Sequence, residues 1–315
     1  MPRKPRIHFP GALYHVILRG NHGQVVFSDA ADRSRFYLLL QEGTVRFGHR
    51  IHAFCLMSNH LHLAVQVREV PLPRIMQNLG FRYTQYFNRR YKKTGHLFQG
   101  RYKALLVDAD SYLLELVRYI HLNPNRAGMV EQPESYPWSG HRAYLGLESL
   151  PWLTTDWVYG QFAPDADGAR RRYEQFMADG LPEGYRGDFH RGSFEGRALG
   201  DDNFIEEALT RAEEVIKKHP SIQSIISAVC CVCRISPTEI ASRSKVRKIS
   251  EARGIAALLV REAEGIALKE LGKLLNQDLS SLSQAARRVE LRLREDSCLQ
   301  ERFEAVRNDF PTCQA

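Results

Sequence analysis

The feature that most constrains the fold is an apolar run interrupted by two histidines, His60-Leu61-His62-Leu63-Ala64-Val65. Successive side chains of a β-strand point to opposite faces, so His60 and His62 are predicted to share one face. Leu61 and Leu63 then point to the other face, which has to be buried. Two imidazoles at this spacing can form two arms of a metal site, and two surface histidines on a half-exposed strand are the alternative.

The surrounding pattern predicts an α+β fold. Strands are predicted over residues 12–19, 50–57, 60–67 and, after a short loop, up to 107, and helices over residues 29–47, 73–93 and 111–122. This β-α-β-β-α-β-α order is typical of an antiparallel sheet with helices on one face.

Three domains are predicted. Residues 1–150 form the α+β domain, and residues 151–200, rich in Pro, Gly and Asp, pack against it and continue as a linker. Residues 201–315 carry several helices with short connections, which predicts a compact all-α domain.

Charge is distributed unevenly along the chain. Residues 1–150 contain 20 Lys and Arg against 10 Asp and Glu, whereas residues 201–315 contain 18 of each kind. A basic N-terminal half predicts a polyanionic partner, and nucleic acid is favoured over a membrane because no basic amphipathic helix stands out.

The remaining composition predicts a cytoplasmic protein. No apolar run reaches eighteen residues, and the basic N-terminus lacks the apolar segment of a secretory signal. The six cysteines show no regular spacing, which indicates a reducing compartment. Cys230 and Cys233 have metal-like spacing, but their apolar helical surroundings favour buried thiols.

The helix predicted from Ser111 to Leu122 carries Tyr119, and Asn123 follows on the same face if the last turn persists. Pro124 ends the helix and leaves the Asn123 side chain free to turn inward. If this face packs over the histidine strand, the two imidazoles and an amide oxygen can hold a divalent cation near the Tyr119 hydroxyl. A metal ion polarises a phosphodiester and a tyrosine attacks its phosphorus, whereas a tyrosine packed in the core is the alternative.

Three motifs occur in order at characteristic intervals: Met57-Ser58-Asn59-His60-Leu61-His62-Leu63, Phe98-Gln99-Gly100-Arg101-Tyr102 and Arg118-Tyr119-Ile120-His121-Leu122-Asn123-Pro124-Asn125-Arg126-Ala127-Gly128. Together they resemble the single-tyrosine HUH transposases of the insertion-sequence type, most closely the REP-associated tyrosine transposases, over residues 5–150. The resemblance implies a ferredoxin-like (RRM-like) fold, in a bacterial protein associated with the nucleoid. It also implies cleavage of single-stranded, hairpin-forming DNA through a 5′-phosphotyrosine intermediate, with a free 3′-OH and later strand rejoining.

The resemblance also implies roles for individual residues. Tyr119 falls on the nucleophile, His60 and His62 fall on the metal pair, and Asn123 falls on the third ligand, where many relatives have glutamine. His121 lies one residue off this face and is the alternative third ligand. Imidazole alone favours zinc, but the family uses Mg²⁺ or Mn²⁺, which also suit phosphate chemistry with an amide oxygen.

Basic side chains follow the histidine strand and are predicted to contact DNA phosphates: Arg74, Arg82, Arg89, Arg90, Lys92, Lys93, Arg101 and Lys103. Aromatic residues are interleaved with them: Tyr83, Tyr86, Phe87, Tyr91, Phe98 and Tyr102. Basic groups along a backbone, with rings for unstacked bases, are typical of single-strand binding. A solvated helix face over core aromatics is the alternative for part of this set.

Two groups of residues in the C-terminal region form a recognisable pattern: Lys245 and Arg247 precede one predicted helix, and Asp278, Ser280 and Ser281 begin another. With them, residues 220–292 resemble the helix-turn-helix domain of the bacterial replication initiator DnaA, which binds duplex DNA through a basic loop and a recognition helix that follows an Asp-His-Ser/Thr-Thr motif. Leu279 stands where that motif has histidine, and the charge of this region is balanced, so a protein-interaction module is the alternative.

The sequence therefore predicts a metal-dependent single-stranded DNA endonuclease and strand transferase. A non-catalytic nucleic-acid-binding regulator with an RRM-like sheet is one alternative, and a metal-dependent RNA-processing enzyme is another. The tyrosine and the two histidines argue against a regulator, because binding alone does not need them. The DNA target stays undefined, and the choice between monomer and homodimer stays open.

Overall fold

A computed structural model describes residues 6–218, 221–263, 266–293 and 295–308 of the chain. The chain divides into two compact units, one up to Ala212 and one from Glu213 onward. The division therefore lies within the helix Asp202–Lys218. The domain boundaries predicted at residues 150 and 200 remain predictions.

The first unit is an α+β structure. Its strands are β1 (Leu13–Arg19), β2 (Arg50–Leu56), β3 (His60–Gln66), β4 (Lys103–Val107) and β5 (Ala198–Leu199). Its helices are α1 (Ala30–Phe47), α2 (Leu72–Tyr91), α3 (Ala109–His121), α4 (Asn123–Arg126), α5 (His141–Tyr144), α6 (Asp156–Tyr159), α7 (Ala166–Asp179), α8 (Asp188–Arg191) and the part of α9 (Asp202–Lys218) up to Ala212, with 3-10 turns at Asn21–Gly23 and Pro133–Ser135.

The strands form one sheet in the order β2-β3-β1-β4-β5. The first four strands pair antiparallel, in the arrangement of a ferredoxin-like fold, which confirms the predicted fold class. The two-residue strand β5 joins β4 in parallel and was not predicted.

The two faces of the sheet have different covers. Phe54 of β2 lies opposite Leu63 of β3, and its ring contacts Tyr37 of α1 at 5.2 Å between centroids. Helix α1 thus covers the leucine face, as the alternation predicts, and α2 packs against α1, where the Phe36 and Tyr83 rings are 5.0 Å apart. Helix α3 packs on β2 and β3 from the histidine face, where the Tyr119 and His62 rings are 6.1 Å apart.

Helix α3 begins at Ala109, two residues before the predicted start at Ser111. Its N-cap is Asp108, whose carboxylate accepts hydrogen bonds from Asp110 N and Ser111 Oγ. A carboxylate at this position satisfies backbone N–H groups that have no partner inside the helix. The helix ends at His121, close to the end predicted from Pro124.

The stretch expected to continue as a linker carries regular elements of the first unit. It includes the fourteen-residue helix α7, the short helix α8 and β5. Tyr173 of α7 and Phe189 of α8 are 1% and 0% exposed, so this stretch contributes to the core. Its many Gly and Pro residues lie between these short elements and conceal them from periodicity.

The second unit is helical, as predicted. Its helices are α10 (Ile222–Cys233), α11 (Pro237–Ala241), α12 (Arg247–Glu262), α13 (Leu268–Leu274), α14 (Leu279–Arg292) and α15 (Ser297–Asn308). Cys230 and Cys233 are free and buried in its core, in agreement with the buried-thiol interpretation. Cys313 lies outside the described residues. No helix of the described chain is long and apolar enough to span a membrane.

Candidate active site

The predicted catalytic and metal-binding residues of the first unit line one cavity of about 1050 Å³. His60 and His62 come from β3, Tyr119 from the last turn of α3, and Asn123 from the first position of α4. The sheet supplies the two imidazoles from one face, and the helix that crosses this face supplies the tyrosine.

Hydrogen bonds fix the orientation of His60. The amide nitrogen of Asn59 donates to the carbonyl oxygen of Gly23, so Asn59 Oδ1 faces the ring. This oxygen lies 2.7 Å from His60 Nδ1 and can only accept, so Nδ1 of the imidazole donates. Burial lowers the pKa of His60 to about 4, and the neutral ring keeps a lone pair on Nε2.

His62 is buried more deeply and also has its Nδ1 atom engaged. This atom lies 2.8 Å from Nε2 of His15, a residue of β1. Burial, followed by the neighbouring imidazoles of His15 and His60, holds the pKa of His62 well below its ordinary value. Neither His60 nor His62 has a hydrogen bond at Nε2 to another described residue, and both rings line the cavity.

The Tyr119 hydroxyl forms a short hydrogen bond with Nε2 of His190 in α8, at 2.6 Å. Burial raises the pKa of Tyr119 to about 12, although the nearby Arg126 guanidinium opposes the rise. This guanidinium lies over the tyrosine ring, 4.2 Å from its centroid, and donates to the Tyr119 carbonyl oxygen. At neutral pH the tyrosine keeps its proton unless a base accepts it.

Asn123 is oriented by the end of α3. Its amide nitrogen donates to the carbonyl oxygens of Tyr119 and Ile120, at 3.1 and 3.4 Å. Its Oδ1 atom accepts no hydrogen bond from a described residue, and the side chain lines the cavity. Because the amide nitrogen bonds the carbonyl oxygens at the end of α3, the amide oxygen of Asn123 remains available as a ligand.

His121, the alternative third ligand, points away from the cavity. It is fully buried, and its Nδ1 lies 2.8 Å from the hydroxyl of Tyr173. The same hydroxyl lies 2.7 Å from Nδ1 of His141. The geometry favours Asn123 over His121, because two residues of helix rotate a side chain by about 200°.

The donor set fits a divalent cation. Two imidazoles with engaged Nδ1 atoms present Nε2 lone pairs, and one amide oxygen accompanies them. Within the described residues, no group of three or more His, Cys, Asp or Glu side chains has metal-binding geometry.

Sequence reasoning did not identify four residues around this site: His15, Arg19, Arg126 and His190. Two of them could have been found from the sequence, because alternation along β1 puts His15 and Arg19 on the same face of the sheet. In the structure this is the histidine face, where Arg19 pairs directly with His60. Arg126 lies inside the third motif. His190 left none, since it lies 71 residues beyond Tyr119 in a short helix.

The predicted phosphate-contacting residues of the first unit fall into two groups. Arg82 forms an ion pair with Glu42, and Arg90 pairs with Asp29 and Asp32 across α1 and α2. The others are exposed and pair with no acidic side chain among the described residues: Arg74, Arg89, Lys92, Lys93, Arg101 and Lys103. Of these, Lys103 pairs with Ile17 and thus lies on the histidine face of the sheet.

The interleaved aromatic residues are largely structural. Tyr83, Phe87 and Phe98 are at most 9% exposed and pack in the core. The hydroxyls of Tyr86 and Tyr91 donate to the Asp32 carboxylate. These rings support α2 against α1, which agrees with the alternative interpretation for them.

In the second unit, Asp278 is the N-cap of α14, and the hydroxyls of Ser280 and Ser281 donate to its carboxylate at 2.7 and 2.6 Å. Lys245 is exposed in the loop that leads into α12, and Arg247 is exposed at the first position of this helix. Arg253, 7% exposed, holds this loop from within, because its guanidinium donates to the carbonyl oxygens of Ile240, Ser242 and Ser244.

Residues 9–123, which include His60, His62 and Tyr119 and end at Asn123, match the family described as IS200-like transposase. This match confirms the resemblance to transposases of the insertion-sequence type. Residues 222–289 match the family described as bacterial DnaA protein helix-turn-helix, which confirms the second resemblance.

One solved structure similar to this chain is described as a REP-associated tyrosine transposase bound to a REP hairpin. The two share 15% identity, and the match covers 49% of this chain and 92% of that chain, with a TM-score of 0.40. No curated protein matches the chain. The closer resemblance to the REP-associated members stays a prediction.

Proposed function

We propose that the protein is a metal-dependent endonuclease and strand transferase that acts on single-stranded, hairpin-forming DNA through a phosphotyrosine intermediate. The observation that carries the proposal is the shared cavity. It is lined by the Tyr119 hydroxyl, which is hydrogen-bonded to the His190 imidazole, by two further imidazoles whose Nε2 atoms have no hydrogen bond to a described residue, and by the Asn123 amide oxygen.

Tyr119 is the proposed nucleophile. Its oxygen attacks the phosphorus, the bond from phosphorus to the 3′ oxygen breaks, and the departing strand gains a 3′-OH while the 5′-phosphate stays on the tyrosine. His190 Nε2, 2.6 Å away, is placed to accept the hydroxyl proton. A later 3′-OH attacks the same phosphorus, which releases Tyr119 and joins the strands.

His60, His62 and Asn123 are the residues that would hold Mg²⁺ or Mn²⁺. A bound ion of this kind supplies Lewis-acid polarisation of the phosphodiester. Hydrogen bonds hold the three side chains in place for the ion. Asn59 and His15 orient the two imidazoles, and the end of α3 orients the Asn123 amide.

Three cations near the histidines suit a phosphate chain. Arg126 lines the cavity beside the tyrosine ring, and Arg19 and Lys103 lie on the histidine face of β1 and β4. Tyr185 is 68% exposed, lines the same cavity and stacks on His190 at 5.1 Å, so its outer face is open to an unpaired base.

The helical unit is proposed to bind duplex DNA. Lys245 in the basic loop and Arg247 at the start of α12 are exposed, and the exposed side of α14 adds Gln284, Arg287 and Arg288. The Ser280 and Ser281 hydroxyls already donate to Asp278, so they can contact DNA only as acceptors. Arg and Gln are the side chains that recognise guanine and adenine in the major groove.

A labelled hairpin oligonucleotide tests the chemistry. With Mn²⁺, the wild-type protein should form an adduct that survives SDS, and Tyr119→Phe should form none while binding the oligonucleotide within a few-fold. Tyr112→Phe is the matched control, because Tyr112 lies two turns earlier on α3 and does not line the cavity. An adduct in the Tyr119→Phe protein would exclude Tyr119 as nucleophile.

The metal site is tested separately. His60→Ala and His62→Ala should each abolish adduct formation at low Mn²⁺ and weaken Mn²⁺ binding. A protein that binds the hairpin but forms no adduct under any metal condition would favour the regulator alternative.

A further inference from the structure

A chain of hydrogen bonds runs behind the cavity wall and ends on His62. The carbonyl oxygen of Phe189 lies 3.0 Å from Nδ1 of His15, and Nε2 of His15 lies 2.8 Å from Nδ1 of His62. His15 is 1% exposed and does not line the cavity. The His15 and His62 rings are stacked, with centroids 5.1 Å apart and planes inclined by 17°.

The chemistry of these partners fixes the proton positions. A carbonyl oxygen can only accept, so Nδ1 of His15 carries a proton and donates to Phe189. His15 is 1% exposed and hydrogen-bonds no acidic side chain among the described residues, so burial favours the neutral ring, which holds this one proton. Its Nε2 is therefore an acceptor, and the hydrogen between the two rings belongs to Nδ1 of His62. Burial at 2% exposure favours the neutral ring of His62 as well, which leaves its Nε2 with a lone pair.

We propose that His15 is a positioning residue that holds His62 in the Nδ1–H tautomer and keeps its Nε2 lone pair available to the divalent cation. The inference rests on the metal site of the proposed function. Asn59 fills the equivalent place behind His60. An acceptor behind a metal-binding histidine fixes its tautomer and ring orientation, and its loss typically lowers metal affinity about 10–100-fold.

This series of hydrogen bonds also links the metal-binding half of the site to the half that holds the nucleophile. Phe189, which orients His15, directly precedes His190, which bonds the Tyr119 hydroxyl. The short helix α8 therefore sets the orientation of a metal-binding imidazole through one residue and of the nucleophile through the next.

The tautomer is measurable without metal or DNA. Nitrogen-15 labelling of the histidines in the full-length protein, with EDTA present, should show His62 protonated at Nδ1 and unprotonated at Nε2. A His62 ring found protonated at Nε2 in the wild-type protein would overturn the proposal, whatever the variants do.

Variants test the consequence for metal binding, with free Mn²⁺ followed by electron paramagnetic resonance. His15→Phe, which lacks an acceptor, should weaken Mn²⁺ binding about 10–100-fold and let His62 populate the Nε2–H tautomer. His15→Gln retains an amide N–H for Phe189 and an oxygen for His62, and should restore the affinity to within a few-fold.

His52→Phe is the matched control for the loss of a buried imidazole. His52 is 0% exposed and bonds a carbonyl oxygen, that of Thr154 at 3.1 Å, but it does not line the cavity. Its replacement should leave Mn²⁺ affinity within a few-fold, and an equal loss in this control would overturn a specific role for His15.

The outcomes separate this inference from the proposed function. Weak Mn²⁺ binding by His62→Ala, with unchanged binding by His15→Phe, would retain the metal site and overturn the role of His15. Unchanged binding by both variants would overturn the metal site itself.

Discussion

The hydroxyl of Tyr119 and Nε2 of His190 are 2.6 Å apart, although 71 residues separate them in the chain. A tyrosine with a pKa of about 12 needs a proton acceptor to attack phosphorus at neutral pH. Burial, followed by the charges of Lys103 and Arg126, lowers the pKa of His190, so the imidazole is neutral and can accept.

His190→Gln should therefore lower the rate of adduct formation by about 10²–10⁴-fold. Glutamine can still bond the hydroxyl, so Tyr119 stays in place, but it cannot take up the proton. Single-turnover rates on a saturating hairpin oligonucleotide measure the effect, and the affinity should change by no more than a few-fold. A wild-type rate in this variant would show that the proton leaves by another route.

Asn123 and His121 should separate into a metal-binding and a structural residue. Asn123→Ala should weaken Mn²⁺ binding, because the oxygen at the cavity is lost, whereas Asn123→Gln should retain much of it. His121→Ala should leave Mn²⁺ affinity within a few-fold and lower the free energy of unfolding by about 1–3 kcal/mol, since the buried Tyr173 hydroxyl loses a partner. The reverse pattern would assign the third ligand to His121.

Arg89 and Arg90 are neighbours with different expected effects. Arg89 is exposed and has no acidic partner among the described residues, whereas Arg90 bonds Asp29 and Asp32. If Arg89 contacts a phosphate, Arg89→Gln should weaken single-strand binding and reduce the salt dependence of log K by about 0.7. Arg90→Gln should mainly lower the midpoint of thermal unfolding. Equal effects on binding would place both side chains on the DNA.

A fragment that ends at residue 212 should keep the chemistry and lose target discrimination. Ile205 and Ala208 of α9 are buried, and Arg211 lies over the Phe9 ring at 4.1 Å, so these residues belong to the first unit. The fragment should form the Tyr119 adduct on a short hairpin and discriminate less between duplex-flanked targets. Loss of the adduct in a folded fragment would show that the helical unit completes the site.

His49 should make stability depend on pH. Burial lowers its folded-state pKa to about 4, against an unfolded value near 6.5. The unfolded chain binds the proton first, so the stabilisation is complete above pH 6.5 and is lost as the pH falls towards 4. Urea unfolding at pH 7.5 and 5 should show wild type losing about 2 kcal/mol more than His49→Leu. Parallel losses would exclude this contribution.

The periodic spacing of apolar residues predicted the four main strands and the long helices of the first unit. The strand with His60 and His62 alternates over its whole length, and a one-residue shift would bury both imidazoles among leucines. The Tyr119-to-Asn123 spacing likewise placed both residues on the side that faces β3. These features depend on local pattern, which a single sequence contains.

The remaining features depend on contacts between distant segments. The strand β5 has two residues and no pattern of its own, and α8 has four. The two aspartates that form ion pairs with Arg90 lie about sixty residues before it in the chain. The sequence therefore could not show which of the predicted phosphate-contacting residues are already paired with a carboxylate. The proposed proton acceptor His190 was missed for the same reason.

The Tyr173 hydroxyl, which faces Nδ1 of both His121 and His141, has one hydrogen to donate. At least one of the two imidazoles must therefore carry its proton on Nδ1, and each choice constrains the other two residues. Substitutions at the three positions are therefore expected to occur together during evolution. A relative that replaces Tyr173 with an apolar residue is expected to have changed the histidines too, and an alignment would record this as correlated substitution inside and outside the third motif.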